Sequence, residues 1–138
     1  MRLATTEEQF ALIEGWLEGK DVPAGFEVDA EQRWLIHVAL AAAGRIGEEE
    51  IAEEFKRDNT SYGQAYSAQA RGALPFAETR EKVWEEITGN SVSNTVQRNL
   101  CLGSMRANAD SLVPYAERYF ADAEAQWDNH TVEIAKNM

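Results

Sequence analysis

Two histidines, His37 and His130, one cysteine, Cys101, and 24 acidic side chains are the groups in this sequence best suited to ligate a metal or move a proton. A zinc hydrolytic centre needs three protein ligands and a water held by a base, and neither histidine begins a His-Glu-x-x-His run. His37 lies inside the apolar stretch from Trp34 to Leu40 and reads as a packed, hydrogen-bonded residue rather than a ligand. His130 falls one turn from Trp127 and reads the same way. Its spacing to Glu133 would suit a shared metal, but two ligands do not make a centre. Cys101 stands between Leu100 and Leu102, away from any base that would generate a thiolate, and reads as a small packing residue. The sequence contains no Gly-rich phosphate loop, no Gly-x-Ser-x-Gly elbow and no kinase-like set of motifs. Carboxylate pairs are so frequent in this composition that their spacing carries no information. No catalytic residue and no metal ligand is assigned.

The composition narrows the class further. The 138 residues suit a single domain, 44% of them are hydrophobic and 27% charged, and only three are proline. That is a globular composition with room for long helices. A formal charge of -11 gives the average field the wrong sign for nucleic acid or an anionic membrane surface, so neither is expected as a partner. One cysteine cannot form an internal disulfide, the first residues carry acids and no apolar core, and no apolar run approaches the ~20 residues of a membrane span. A cytoplasmic location is expected.

Apolar residues recur at helical spacing nearly throughout. The first helix starts after Thr5, paired with Glu8 in a capping box, and turns Phe10, Ile13 and Leu17 inward, widened by Leu12 and Trp16. Asp29 with Gln32 opens a second helix, Ala30 to Ala43, apolar nearly all round and so central. A third spans about Gly47 to Lys56, with Ile51 and Phe55 inward. Its Glu48, Glu49 and Glu50 match the positive end of the helix dipole, a structural account of the acidic run. Asn59 or Thr60 caps a fourth helix, Pro75 opens a fifth with Phe76, Val83, Trp84 and Ile87 on one face, and Ser93 to Leu102 makes a sixth. Asp110 begins a seventh, in which Leu112, Tyr115, Ala116, Tyr119 and Phe120 fit the three-and-four spacing of one face, and an eighth carries Trp127, Ile134 and Met138. Four tryptophans at helical spacing serve as core anchors.

Helix starts at Asp29, Asn59 and Ser91 or Ser93 recur about every thirty residues. This period predicts an all-α fold, a HEAT-like α-solenoid of about eight antiparallel helices in hairpins. The final residues keep a helical pattern without a closing Gly or Pro, where an outer repeat needs a polar cap. The expectation is a single helical domain over residues 1–138, cut from a longer protein.

Six ordered stretches carry a family resemblance: Trp16-Leu-Glu-Gly-Lys-Asp-Val-Pro-Ala-Gly, Val28-Asp-Ala-Glu-Gln-Arg-Trp34, Ala42-Ala-Gly-Arg45, Arg57-Asp-Asn-Thr60, Ser93-Asn-Thr-Val-Gln-Arg98 and Val113-Pro-Tyr-Ala-Glu-Arg-Tyr-Phe120. Together they resemble the C-terminal helical domain of actinobacterial aminopeptidase N, a gluzincin zinc aminopeptidase. The domain is similar to that of the endoplasmic-reticulum aminopeptidases. The resemblance runs from about Arg2 to Lys136. It implies a parent enzyme that removes N-terminal residues from peptides, with zinc and the amine-binding motif in upstream domains. This chain is then non-catalytic and holds no cofactor itself. It acts as a lid that encloses the substrate chamber, with the upstream catalytic domain and the peptide substrate as its partners. On the lid's inner face an arginine could bind a peptide carboxylate, and Arg33, Arg98 and Arg106 are the candidates because they sit near helix ends or connectors. The alternative is a stand-alone acidic helical-repeat adaptor that binds a basic protein or peptide.

Overall fold

Side-chain caps set most of the helix starts. The computed structural model describes residues 4–137, and among them every regular element is helical. These are α1 (Glu7–Leu17), α2 (Ala30–Ala42), α3 (Glu48–Arg57), α4 (Ser61–Ala73), α5 (Ala77–Thr88), α6 (Asn94–Ser104), α7 (Ala109–Asn129) and the single turn α8 (Val132–Ala135). Asp29 accepts from the Gln32 N–H at 2.8 Å, Thr60 from Gly63 at 3.1 Å and Ser93 from Val96 at 3.3 Å. The first start lies one residue later than the sequence suggests. Thr6, not Thr5, accepts from Gln9, and the Gln9 side chain returns to the Thr6 N–H. Gly44 turns the chain out of α2 at a φ of 70°, a left-handed conformation open to glycine.

The even-numbered helices form a row in which α2 packs on α4, α4 on α6 and α6 on α8, while α1, α3, α5 and α7 each pack on the helix that follows. The thirty-residue period picks out this row, because its starts are the caps of α2, α4 and α6. The apolar circumference of α2 now has a cause. Ile36 and Leu40 meet Ile13 of α1, whereas Trp34, Val38 and Ala41 meet Ile51 of α3 and Ala70 and Ala73 of α4. Each such fully buried large side chain contributes roughly 1.5–3 kcal/mol. A further core joins Ala68 of α4 to Val83 and Ile87 of α5 and Leu100 of α6.

Several inward assignments do not hold. Leu12 is 44% exposed: the main helix contact of α1 is with α2, through the side that carries Ile13. Phe76 is 45% exposed: it is the N-cap of α5, with extended backbone, and so stands off the helical face. Trp127 belongs to α7, which runs on to Asn129 without a break, and Met138 lies outside the described residues. α7 itself buries none of its 21 residues. Tyr115 does turn inward, its ring 5.4 Å from that of Trp84, but Phe120 points to solvent. Pro114, the sixth residue of α7, lacks the N–H that would bond one turn back. No helix among the described residues is long and apolar enough to cross a membrane.

Candidate functional site

The α2–α4–α6 row creates a groove of about 1260 Å³. Its floor is apolar, from Leu35, Val38, Ala39 and Ala42 of α2, and its far wall comes from Leu102 of α6 with Met105, Arg106 and Asn108 beyond it. Tyr66 and Gln69 of α4 stand between the two. Alanines on α2 keep the floor low, and this is the local reason that the row leaves a groove rather than a filled seam. Tyr66 is fixed by stacking on Trp34 (centroids 6.5 Å apart, planes 9° apart) and by donating its hydroxyl to Glu31 at 3.1 Å. Burial, and then Glu31, push the Tyr66 pKa up, so it stays a neutral donor and acceptor. An apolar floor with a few placed polar groups is the usual make-up of a site for an organic ligand.

Of the three sequence candidates, the structure brings Arg106 alone to this groove. Arg98 is exposed on α6 and is not a lining residue. Arg33 is committed elsewhere. Its guanidinium makes a two-pronged contact with buried Glu54 of α3, at 2.7 and 2.6 Å, and donates a third bond to the Leu17 carbonyl at the end of α1, at 3.1 Å. One side chain thereby joins three helices. Glu54 escaped the sequence reading, although its place one turn from Ile51 on the inward face of α3, opposite the one arginine of α2, was a usable signal.

His37 completes this buried cluster. Its Nδ1 donates to the Arg33 carbonyl at 2.8 Å, and its Nε2 lies 3.8 Å from Glu54, so it is a packed residue with a defined structural bond. Burial pulls its pKa below the ordinary 6.5. The Arg33 carbonyl and Glu54 oppose that shift, and Arg33 and Arg57 reinforce it. The folded chain therefore keeps His37 neutral where the unfolded chain would protonate it. Its contribution to stability is complete above 6.5 and is lost as pH falls from there toward the folded value. Urea midpoints should thus drop from pH ~7.5 to pH ~5.5, with a smaller drop for His37→Gln. An unchanged drop in that variant would clear His37 of the effect. Glu54 acts lower: burial raises its pKa, but the Arg33 hydrogen bond and the charges of His37, Arg33 and Arg57 together bring it below the ordinary value, so its contribution fades only on further acidification.

The remaining groups are structural in placement. Cys101 is half-buried, and burial pushes its thiol up to about 11, far from a thiolate at neutral pH. His130 donates from Nε2 to the Thr88 carbonyl at 3.1 Å, which ties the end of α7 to the end of α5. The side chain of Glu133, its suggested metal partner, lies outside the described residues. Among the described residues no three His, Cys, Asp or Glu side chains gather to hold a metal ion, so these residues do not fit a zinc centre.

A second residue that sequence reasoning missed is Arg80. It is 4% exposed, with Nε donating to the Leu74 carbonyl at 2.7 Å, one NH2 group to the Gly72 carbonyl and the other to the Ser104 hydroxyl at 3.2 Å. The signal was its register, since Arg80 falls in the same face of α5 as buried Val83 and Ile87. It faces a smaller, mainly apolar cavity of about 330 Å³ under α7, lined by Trp84, Leu112, Tyr115 and Tyr119.

Comparison with known proteins places the sequence in a family. Residues 3–138 match the ERAP1-like C-terminal domain family. Aminopeptidase N of Streptomyces lividans is 34% identical over 137 residues, covering 98% of this chain and 16% of that protein. The chain thus spans about a sixth of the length of that relative. On a match that takes in all but the first two residues, this chain belongs to the ERAP1-like C-terminal domain family.

Proposed function

We propose that the chain is part of the C-terminal helical domain of a larger zinc aminopeptidase, similar to aminopeptidase N, that removes N-terminal residues from peptides. In this reading the zinc and the bond-breaking groups belong to an upstream catalytic domain, and the chain encloses the substrate chamber and touches the peptide. The groove over α2, α4 and α6 is the observation that carries it. An extended peptide can lay apolar side chains against Leu35, Ala39 and Ala42, while Tyr66 and Asn108 offer polar partners for its backbone. Arg106 supplies the cation suited to a peptide carboxylate. Closing such a surface over a reacting peptide removes water and favours substrates long enough to reach across it. A cytoplasmic location goes with the proposal, supported by a single cysteine held as an unreactive thiol.

The test uses the full-length aminopeptidase. Arg106→Ala is expected to raise KM for a decapeptide about tenfold, as the loss of one charge-assisted bond of ~1.5 kcal/mol would. Hydrolysis of a single-residue aminoacyl anilide, too short to reach the groove, should not change. Equal effects on both substrates, or none on the decapeptide, would remove the groove from substrate binding.

A further inference from the structure

A cation lies buried beneath α7 with no counter-charge beside it. Arg80 takes part in no ion pair among the described residues, although the sequence holds 24 acidic side chains. Its Nε–H and one N–H on each terminal nitrogen are spent on the Leu74 and Gly72 carbonyls and the Ser104 hydroxyl. Each terminal nitrogen of arginine carries two N–H groups, so one on each is left without a partner among the described residues. The three partners are dipoles and cancel no charge, and burial pulls the Arg80 pKa down. A charge held in an interior without compensation favours an anion as its partner.

Arg80 opens onto the cavity of about 330 Å³ between α5, α6 and α7, which Asn137 borders beyond α8. Tyr115, its ring 5.4 Å from that of Trp84, and Arg118, which reaches Glu81 at 2.8 Å, brace α7 over α5 and leave the space beneath it open. One turn of an α-helix fills about 420 Å³, from its diameter of ~10 Å and pitch of ~5.4 Å, so a further helix does not fit. The volume does fall at the small end of sites for organic ligands, on the order of 300–1,000 Å³. Trp84, Tyr115 and Tyr119 give the walls aromatic faces and edges suited to a ring.

We propose that this cavity is a binding site for a small aryl carboxylate, with its ring against Trp84, Tyr115 and Leu112 and its carboxylate on the free N–H groups of Arg80. A dicarboxylate or a zwitterion would bring in a second charge for which the apolar walls offer no partner. The site shares only Met105 of its lining with the groove and does not depend on the groove binding peptide.

The probe is hydrocinnamate. It is compared with hydrocinnamyl alcohol, which keeps the ring and lacks the charge, and with propionate, which keeps the charge and lacks the ring. Calorimetry is run on this chain and on the full-length aminopeptidase proposed above. Hydrocinnamate should bind both proteins, and each of the other two at least about tenfold more weakly. Cys101, the one cysteine of the chain, lines the cavity, so saturating hydrocinnamate should slow its alkylation, read by mass spectrometry. Ala116→Trp, at an exposed position of α7 on the cavity wall, should block binding without touching the core. No binding, equal binding of acid and alcohol, unchanged Cys101 alkylation, or binding that ignores Ala116→Trp would each overturn the proposal. So would binding to this chain but not to the full-length enzyme, since the rest of the protein would then occupy the cavity.

Discussion

Arg80→Met should destabilise the 138-residue chain by about 3 kcal/mol, seen as a lower urea midpoint with an unchanged slope. The last carbonyls of a helix have no partner within it, and at the end of α4 the Gly72 and Leu74 carbonyls face the interior, where Arg80 supplies both donors. Methionine matches the length and apolar stem of arginine but donates nothing. Each buried acceptor left unpaired costs about 1–3 kcal/mol. Part of that is offset, because the native chain no longer carries a cation into its interior, a burden visible in the lowered Arg80 pKa. The carbonyl dipoles at the end of α4 also favour a positive group there, so charge and hydrogen bonding act together. Arg80→Lys separates the two. It keeps the charge, yet a single ammonium cannot span the fork from Leu74 to Ser104, and an intermediate loss is expected. A loss below about 1 kcal/mol for Arg80→Met would mean that water reaches both carbonyls and that the arginine is not what closes α4.

Much of the fold was legible because its signals are local. Asp29, Thr60 and Ser93 announce helix starts through the reach of a short side chain to the next turn, and the thirty-residue step between them marks the row that forms the groove floor. The stretches that carry the family resemblance prove to be joints. Trp34 donates its indole N–H to Asp58 at 2.8 Å, and Thr60 holds the other oxygen of that carboxylate, linking α2 to the α3–α4 turn. Arg45 pairs with Glu14 at 2.7 Å and lies over Phe10 in the same way between α2 and α1. What the sequence hid is pairwise and distant. Nothing local tells that Arg33 is spent on Glu54, 21 residues on, or that Arg106 reaches the groove while Arg98 does not. α7 misled for a physical reason as well. It has apolar stripes on two sides, and periodicity alone does not say which one its own chain covers.

Gly103→Ala is expected to cost about 2 kcal/mol, although alanine is the better helix former by roughly 1 kcal/mol. At the crossing of α4 and α6, Gly103 meets the other helix backbone to backbone. A Cβ placed there would fall on the Gln69 carbonyl oxygen and lie 2.9 Å from the Gly72 Cα. Gly72 faces the same problem in reverse, its Cβ falling on the Leu100 carbonyl oxygen. Backbone cannot rotate aside as a side chain does, so the two helices must separate. Because one separation relieves both overlaps, Gly72→Ala and Gly103→Ala together should cost clearly less than the sum of the two. Simple addition would show that the glycines act at independent contacts. The consequence extends to the groove. Gln69, whose carbonyl Gly103 meets, is a groove residue, and Leu102 on the opposite wall is the neighbour of Gly103 in sequence. Moving α6 off α4 therefore shifts the wall that carries Met105 and Arg106 relative to the floor on α2. In the full-length aminopeptidase proposed above, Gly103→Ala should raise KM for the decapeptide while the single-residue anilide is unaffected. That is the Arg106→Ala pattern, produced without touching a polar group in the groove.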